Sequence, residues 1–221
     1  MYAASWSGGK DGCLALYEAV KQGREVPLLL NTISERYQRV RFHGTPAGLL
    51  QAQAQALGRE LLQWPTPDDT YEEAFLAALQ ELRGRGVTGV IFGDIFPEAN
   101  RDWCRRMCDQ VGLEAVHPIF GLDTAEVMQR FLGAGFEAVV VSGNPQYLGA
   151  AQMGQSLGPD FLQWCATVPD LDICGEKGEY HTIVVNGPLF QQRVQLTEAQ
   201  PVQVNGHWFL DIRAWELQDK D

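Results

Sequence analysis

Ser7-Gly8-Gly9-Lys10-Asp11-Gly12 lies close to the N-terminus, between a short apolar run and an amphipathic segment. Ahead of it, Tyr2-Ala3-Ala4-Ser5-Trp6 suits a buried strand. Behind it, Cys13, Leu16, Tyr17 and Val20 recur at i, i+3, i+4 and i+7, which predicts one apolar helical face. Strand, glycine turn and helix start therefore follow one another. Glycines let the backbone take φ > 0 and approach a ligand closely, while the N–H groups and dipole of a helix N-terminus attract an anion. Lys10 adds a positive charge at that point. A phosphate group is the natural occupant, and the alternative is a plain glycine turn beside a solvated lysine.

The kind of phosphate loop narrows by elimination. The common pattern G-x-x-x-x-G-K-[ST] asks for glycine where Ala4 stands and a hydroxyl where Asp11 stands, so it fails twice. The residues resemble instead the PP-loop, S-G-G-x-D-[ST], of the adenine nucleotide α-hydrolase-like superfamily. Its members grip the pyrophosphate of ATP and cleave between the α and β phosphates. Within it, SGGKDGC at 7–13, GDIF at 93–96 and GEKGEYHT at 175–182 are together similar to the diphthine–ammonia ligase family. The resemblance spans roughly residues 1–190 and departs at Gly12, where the family usually has serine. It implies a HUP or Rossmann-like fold, ATP and Mg²⁺ as cofactors, and adenylation of a carboxylate followed by amidation with ammonia or an amine. Protein-bound diphthine is the acyl substrate if the family role holds. On this reading Ser7, Gly8, Gly9, Lys10, Asp11 and Gly12 cradle the leaving pyrophosphate, with Lys10 and Asp11 also catalytic.

A formal net charge of −11, with 17 scattered basic residues, argues against nucleic acid or an anionic membrane as partner. The exception is the cluster Arg36, Arg39 and Arg41, which reads as a solvated loop or as a nucleotide contact. No apolar run approaches the ~18 residues of a membrane span, and no signal core follows the N-terminus. Five cysteines, an odd number without a C-x-x-C pair, suit a reducing compartment, so a cytoplasmic setting is expected. Cys104 and Cys108, four apart on a predicted helix, read as small core residues rather than metal ligands. A homo-oligomer is left open.

Taken in order, residues 26–33 predict a strand buried on both faces. Ligands of open α/β sheets sit outside the carboxyl ends of strands, which makes Asn31 and the 36–43 loop with His43 candidates for the adenosine side. A helix over 46–57, a strand over 60–64 and a helix opened by Thr70-x-x-Glu73 follow. Gly84-x-Gly86-x-x-Gly89 matches a dinucleotide fingerprint in letters only, because it follows a helix and opens a strand. That strand, 87–92, ends at Gly93 and Asp94, beside the phosphate site, where Asp94 can hold Mg²⁺ or simply cap a helix. Arg101 on the next helix matches a basic position of the family and is a candidate for a phosphate or acyl group, a surface ion pair being the alternative. Strands at 114–118 and 136–141 flank a helix capped by Asp123.

This alternation predicts an α/β fold with a doubly wound, mainly parallel five-stranded sheet, an ATP-binding domain over 1–143. Residues 144–221 are expected to form a smaller α+β substrate-side region, ending in a hairpin about Asn205-Gly206 with His207 exposed beside the turn. Between the two, Gly175 and Gly178 bracket Glu176, after which Glu179, His181 and Ile183 alternate to one strand face. Glu179 and His181 are candidate catalytic groups. Arg101, Glu176 and Tyr180 join them as candidate contacts to the acyl group or amine, the alternative being a polar strand end without a role. The leading expectation is an AMP-forming amide ligase. A nucleotide-binding regulatory or interaction protein without turnover, which Gly12 favours, and an ATP-using enzyme acting on another small substrate are the rivals.

Overall fold

In a computed structural model of the chain, residues 1–34, 44–67 and 69–220 are described. The Arg36 to His43 loop lies outside them. The first half runs β1 (Tyr2–Ser5), α1 (Lys10–Lys21), β2 (Leu28–Ser34), α2 (Ala47–Ala56), β3 (Glu60–Thr66), α3 (Tyr71–Gly84), β4 (Gly89–Ile91), α4 (Glu98–Val111) and β5 (Glu114–Val116). All five strands are parallel, in the order β3-β2-β1-β4-β5. Period-two alternation sorts their side chains. Ala3, Leu28, Leu30 and Val90 pack with Phe75 and Leu79 of α3 and with Met107 of α4. Ala4, Leu29 and Ile91 pack on the opposite face with Leu14 and Leu16 of α1 and Leu50 of α2. Helices on both faces explain why β2 can read Leu-Leu-Leu, since neither side meets water. The α3 helix ends at Gly84 and β4 opens at Gly89, so the glycine-rich match there is a helix stop and a turn.

The second half contains α5 (Thr124–Gly133), β6 (Glu137–Gly143), α6 (Pro159–Cys165), β7 (Tyr180–Asn186), β8 (Gln192–Val204) and β9 (His207–Asp219). Asp123 caps α5, its Oδ1 accepting the Ala125 N–H at 2.9 Å. The strands form an antiparallel sheet in the order β7-β6-β9-β8. The strand read at 136–141 as part of the parallel sheet is thus β6 of the second one. A strand buried on both faces has the same residue pattern in either sheet, and only pairing with β7 and β9 decides which it joins. The hairpin turns at Asn205 (φ 49°) and Gly206 (φ 83°), as the primed hairpin turns require. Its arms run far longer than the sequence pattern marks. Among the described residues no helix is long and apolar enough to cross a membrane.

Candidate functional site

Strand order reverses between β1 and β4, and open α/β sheets bind ligands at such a point. A cleft of about 610 Å³ lies there, at the carboxyl ends of β1, β2 and β4, a size suited to a small-molecule ligand. Its floor is the Ser7–Gly12 loop, and its far wall comes from residues 174–182 of the second half.

The glycine loop is shaped by close approach. Gly8 has φ +79°, and a Cβ there would stand 2.6 Å from Ile183 Cδ1 and 2.7 Å from Gln53 Oε1, so any side chain would strain the backbone and displace both neighbours. A Cβ on Gly93 would stand 2.7 Å from the Gly12 nitrogen, which puts the start of α1 directly against the end of β4. Gly9 is the N-cap of α1 and supplies no side chain to it. Thr182 takes that place from the other sheet, its Oγ1 accepting the Lys10 N–H at 3.1 Å. The first N–H groups of a helix have no intrahelical acceptor, and Asp11 and Gly12 of this first turn line the cleft.

Lys10 is buried, its Nζ 2.9 Å from Asp11 Oδ2, 3.9 Å from Glu176 Oε1 and 5.7 Å from the Tyr180 ring centre. Burial works against its charge, yet Asp11, Cys174 and Glu176 outweigh that and set its pKa above the ordinary lysine value. Glu176 is pushed up to about 7 by burial and by Asp11, against the pull of Lys10. Asp94 is raised by burial, with Asp11 adding to it. Asp11 Oδ1 is buried and has no partner among the described residues. The Asp11 charge thus disfavours ionisation of both Asp94 and Glu176 across the cleft, and the three carboxyl groups are a donor set that a hard divalent cation with oxygen ligands would satisfy.

The remaining candidates divide between the cleft wall and positions away from it. Glu179 is fully buried, and its carboxylate accepts the Asp172 N–H at 2.8 Å and the Lys177 N–H at 2.9 Å. It shapes the 172–178 loop and is absent from the cleft wall. Tyr180 lends its ring to the wall, while its hydroxyl donates to the Ile173 carbonyl. His181 lines both the cleft and a second cavity of about 320 Å³, shared with Asn144, His207 and Phe209. Burial and Lys10 lower its pKa to about 4, so its imidazole is neutral at pH 7. Asn31 is buried at the cleft with its Nδ2 donating to the Trp6 carbonyl at 2.8 Å. Arg101 points away: its guanidinium lies 4.4 Å over Phe120 and beside Asp102, and Asn100 of the same helix faces the cleft instead.

The sequence reading missed Gln53. Fully buried, it accepts from Trp6 Nε1 at 2.7 Å and donates to the Gly8 and Val184 carbonyls at 3.0 and 2.7 Å. With the Val184 N–H donating to the Gly8 carbonyl at 2.9 Å, it ties the loop to β7. A glutamine in an alanine- and glutamine-rich helix carries no local sign of burial. Thr182 was within a quoted motif, but its capping of α1 has no signal in either segment alone.

Residues 1–115 match the family model described as the diphthamide synthase N-terminal domain, and residues 123–217 match that of the C-terminal domain. Among similar proteins, the diphthine–ammonia ligase of Schizosaccharomyces pombe is 26% identical over 89% of this chain and 36% of its own length. The chain thus spans about a third of that relative. The diphthine–ammonia ligase of Rattus norvegicus is 23% identical over 90% of this chain and 84% of its own, and that of Danio rerio 21% over 89% and 86%. A solved structure, a predicted subunit of tRNA methyltransferase from Methanocaldococcus jannaschii, aligns with a TM-score of 0.44 and 13% identity, covering 85% of this chain and 97% of that one.

Proposed function

The chain belongs to the diphthamide synthase family, and from that premise we propose that it is an ATP-dependent ligase that adenylates a carboxylate and transfers the acyl group to ammonia. The observation that carries the reading is the position of the glycine loop: a helix N-terminus and a buried Lys10 at the switch point of the parallel sheet, roofed by the 174–182 segment. A carboxylate oxygen attacks the α-phosphorus of ATP, an acyl adenylate forms and pyrophosphate leaves. Ammonia then attacks the acyl carbon, the amide forms, and AMP leaves. Lys10 and the first turn of α1 stabilise charge that grows on the leaving pyrophosphate, the kind of fixed electrostatic contribution that lowers such barriers most.

Asp11, through its unpartnered oxygen, and Asp94 fit Mg²⁺, which would neutralise phosphate charge when bound. Glu176 sits beside Lys10, where its proton can be given up as a cation arrives. His181 stands where the two cavities meet, so a neutral imidazole is placed to accept a hydrogen bond from ammonia as it reaches the acyl carbon. We assign ATP to the cleft over the parallel sheet and the acyl substrate to the side built on the antiparallel one. Diphthine, the substrate in the relatives' name, is the proposed acyl group, and the five free cysteines support a cytoplasmic setting.

The test is product analysis with Mg-ATP, ammonium and a protein-bound diphthine acceptor. AMP and pyrophosphate, formed only when acceptor is present, are expected. ADP with inorganic phosphate as the main products would overturn the ligase reading.

A further inference from the structure

Behind the cleft, three neighbouring elements bring together Asp94 from the turn after β4, Cys104 from α4 and His117 from the end of β5. Their ligand atoms all lie within 4.8 Å of one another, and Cys104 Sγ is 3.9 Å from Asp94 Oδ2. Neither ring nitrogen of His117 has a hydrogen-bond partner among the described residues, although both are buried. Its imidazole stacks on Phe92 with centroids 5.1 Å apart and meets Phe120 edge to face at 6.2 Å. Buried polar atoms without partners are rare in native proteins and call for an explanation such as a missing ion.

We propose that Asp94, Cys104 and His117 form a site for a thiophilic divalent cation of the Zn²⁺ class, which shares the Asp94 carboxylate with the hard-cation contacts to ATP. A thiol and an imidazole select this class over Mg²⁺, and three protein ligands leave a fourth position for water or an exogenous oxygen. Tetrahedral ligands at ~2.0–2.3 Å from zinc stand roughly 3.3–3.8 Å apart, so a pair at the 4.8 Å limit draws in by about 1.0–1.5 Å to close the site. His117 needs no deprotonation, since burial together with Arg105 and Arg101 holds its pKa at about 4. Cys104 does: burial and the Asp94 carboxylate push its thiol well above the ordinary value, so ligation releases one proton and weakens in acid. The carboxylate and thiolate together offset both charges of the ion, and the two nearby guanidiniums moderate its affinity. The bound ion would clasp the β4 turn, α4 and β5 together and fix Asp94 where it borders the nucleotide cleft.

The chelator-stripped full chain, titrated with Co²⁺ in excess Mg²⁺ and without ATP, tests this. One equivalent should produce tetrahedral d–d bands and a thiolate-to-cobalt charge-transfer band, and Zn²⁺ should displace it. Cys104→Ser should abolish the charge-transfer band, His117→Gln should weaken Co²⁺ binding by about tenfold or more, and Cys108→Ser, changing the neighbouring thiol, should leave both unchanged. In the unsubstituted chain Zn²⁺ should slow alkylation of Cys104 relative to Cys108, a reading independent of whether any variant folds. Absence of the charge-transfer band in the unsubstituted chain, its survival in Cys104→Ser, or alkylation of Cys104 unaffected by Zn²⁺ would each overturn the site.

Discussion

Replacing Gly12 by serine should tighten Mg-ATP about tenfold. Gly12 lies in the first turn of α1, on the cleft wall, and has no left-handed φ. A Cβ built there meets only the Ser5 carbonyl, at 3.8 Å, which is an ordinary contact, so serine enters without strain. Its hydroxyl would add one donor to a phosphate oxygen, and hydrogen bonds to charged groups contribute ~1.5–3 kcal/mol. The lower end applies, because the Ser5 carbonyl competes for the same hydroxyl, and ~1.4 kcal/mol is a factor of ten in affinity. Serine is also the better helix former by a few tenths of a kcal/mol, which should raise the ligand-free melting temperature by about 1–2 °C. Calorimetric titration with a non-hydrolysable ATP analogue and scanning calorimetry of the free protein separate the two effects. A raised melting temperature with equal or weaker nucleotide affinity would mean that the hydroxyl bonds to Ser5, and Gly12 would not be a weakened phosphate contact.

Lys10→Met should weaken ATP by about a hundredfold, because it removes the buried ammonium and leaves Asp11, Glu176 and Asp94 facing the phosphates uncompensated; a titration showing less than a threefold loss would mean that Lys10 serves Asp11 alone. Glu179→Gln should cost about 2–3 kcal/mol in urea unfolding, since an amide cannot accept both the Asp172 and Lys177 N–H groups, and it should impair ATP binding and amide formation together; unfolding unchanged within error would contradict the loop-shaping role. His181→Ala should hold ATP affinity within a few-fold yet stop amide formation, and loss of nucleotide binding would move His181 to the ATP side. Glu176 in the folded chain stands near 7, above the ordinary 4.5. Its protonated form is therefore favoured by folding, and stability should fall as pH rises from about 4.5 to about 7, then level off, by on the order of 2 kcal/mol. Glu176→Gln should flatten that slope in the ligand-free protein, and parallel pH profiles for the two chains would refute it.

Local features were readable because their physics is local. The Ser7–Gly12 turn needs glycine's backbone freedom, a preceding apolar strand and a following helical face, all within 20 residues. The alternation of buried strands and amphipathic helices read through residue 143 likewise implies a parallel sheet, since parallel neighbours require crossovers, and the structure follows it through β5 at Val116. Asn31, Gly93 and Asp94 could be placed near the cleft because strands of such a sheet deliver their carboxyl ends to one edge.

What the residues alone leave open is partnership at long range. Burial periodicity reports that β6 is covered on both faces but not by which sheet, so its pairing with β7 and β9 had to come from the tertiary structure. The same holds for polar side chains, whose type says that they need a partner but not where it lies. Glu179 turns inward to two backbone N–H groups of its own loop, and Arg101 turns outward to Phe120. Thr182 caps a helix 172 residues away, and Gln53 bonds to Trp6, Gly8 and Val184 at once. Each such contact forms only after chain closure has brought distant backbone together, and the entropy of that closure is offset by the whole core rather than by any segment that could announce it. The sequence therefore determined the glycine loop and the sheet that presents it, while the folded chain decided which acidic, imidazole and thiol groups stand around it.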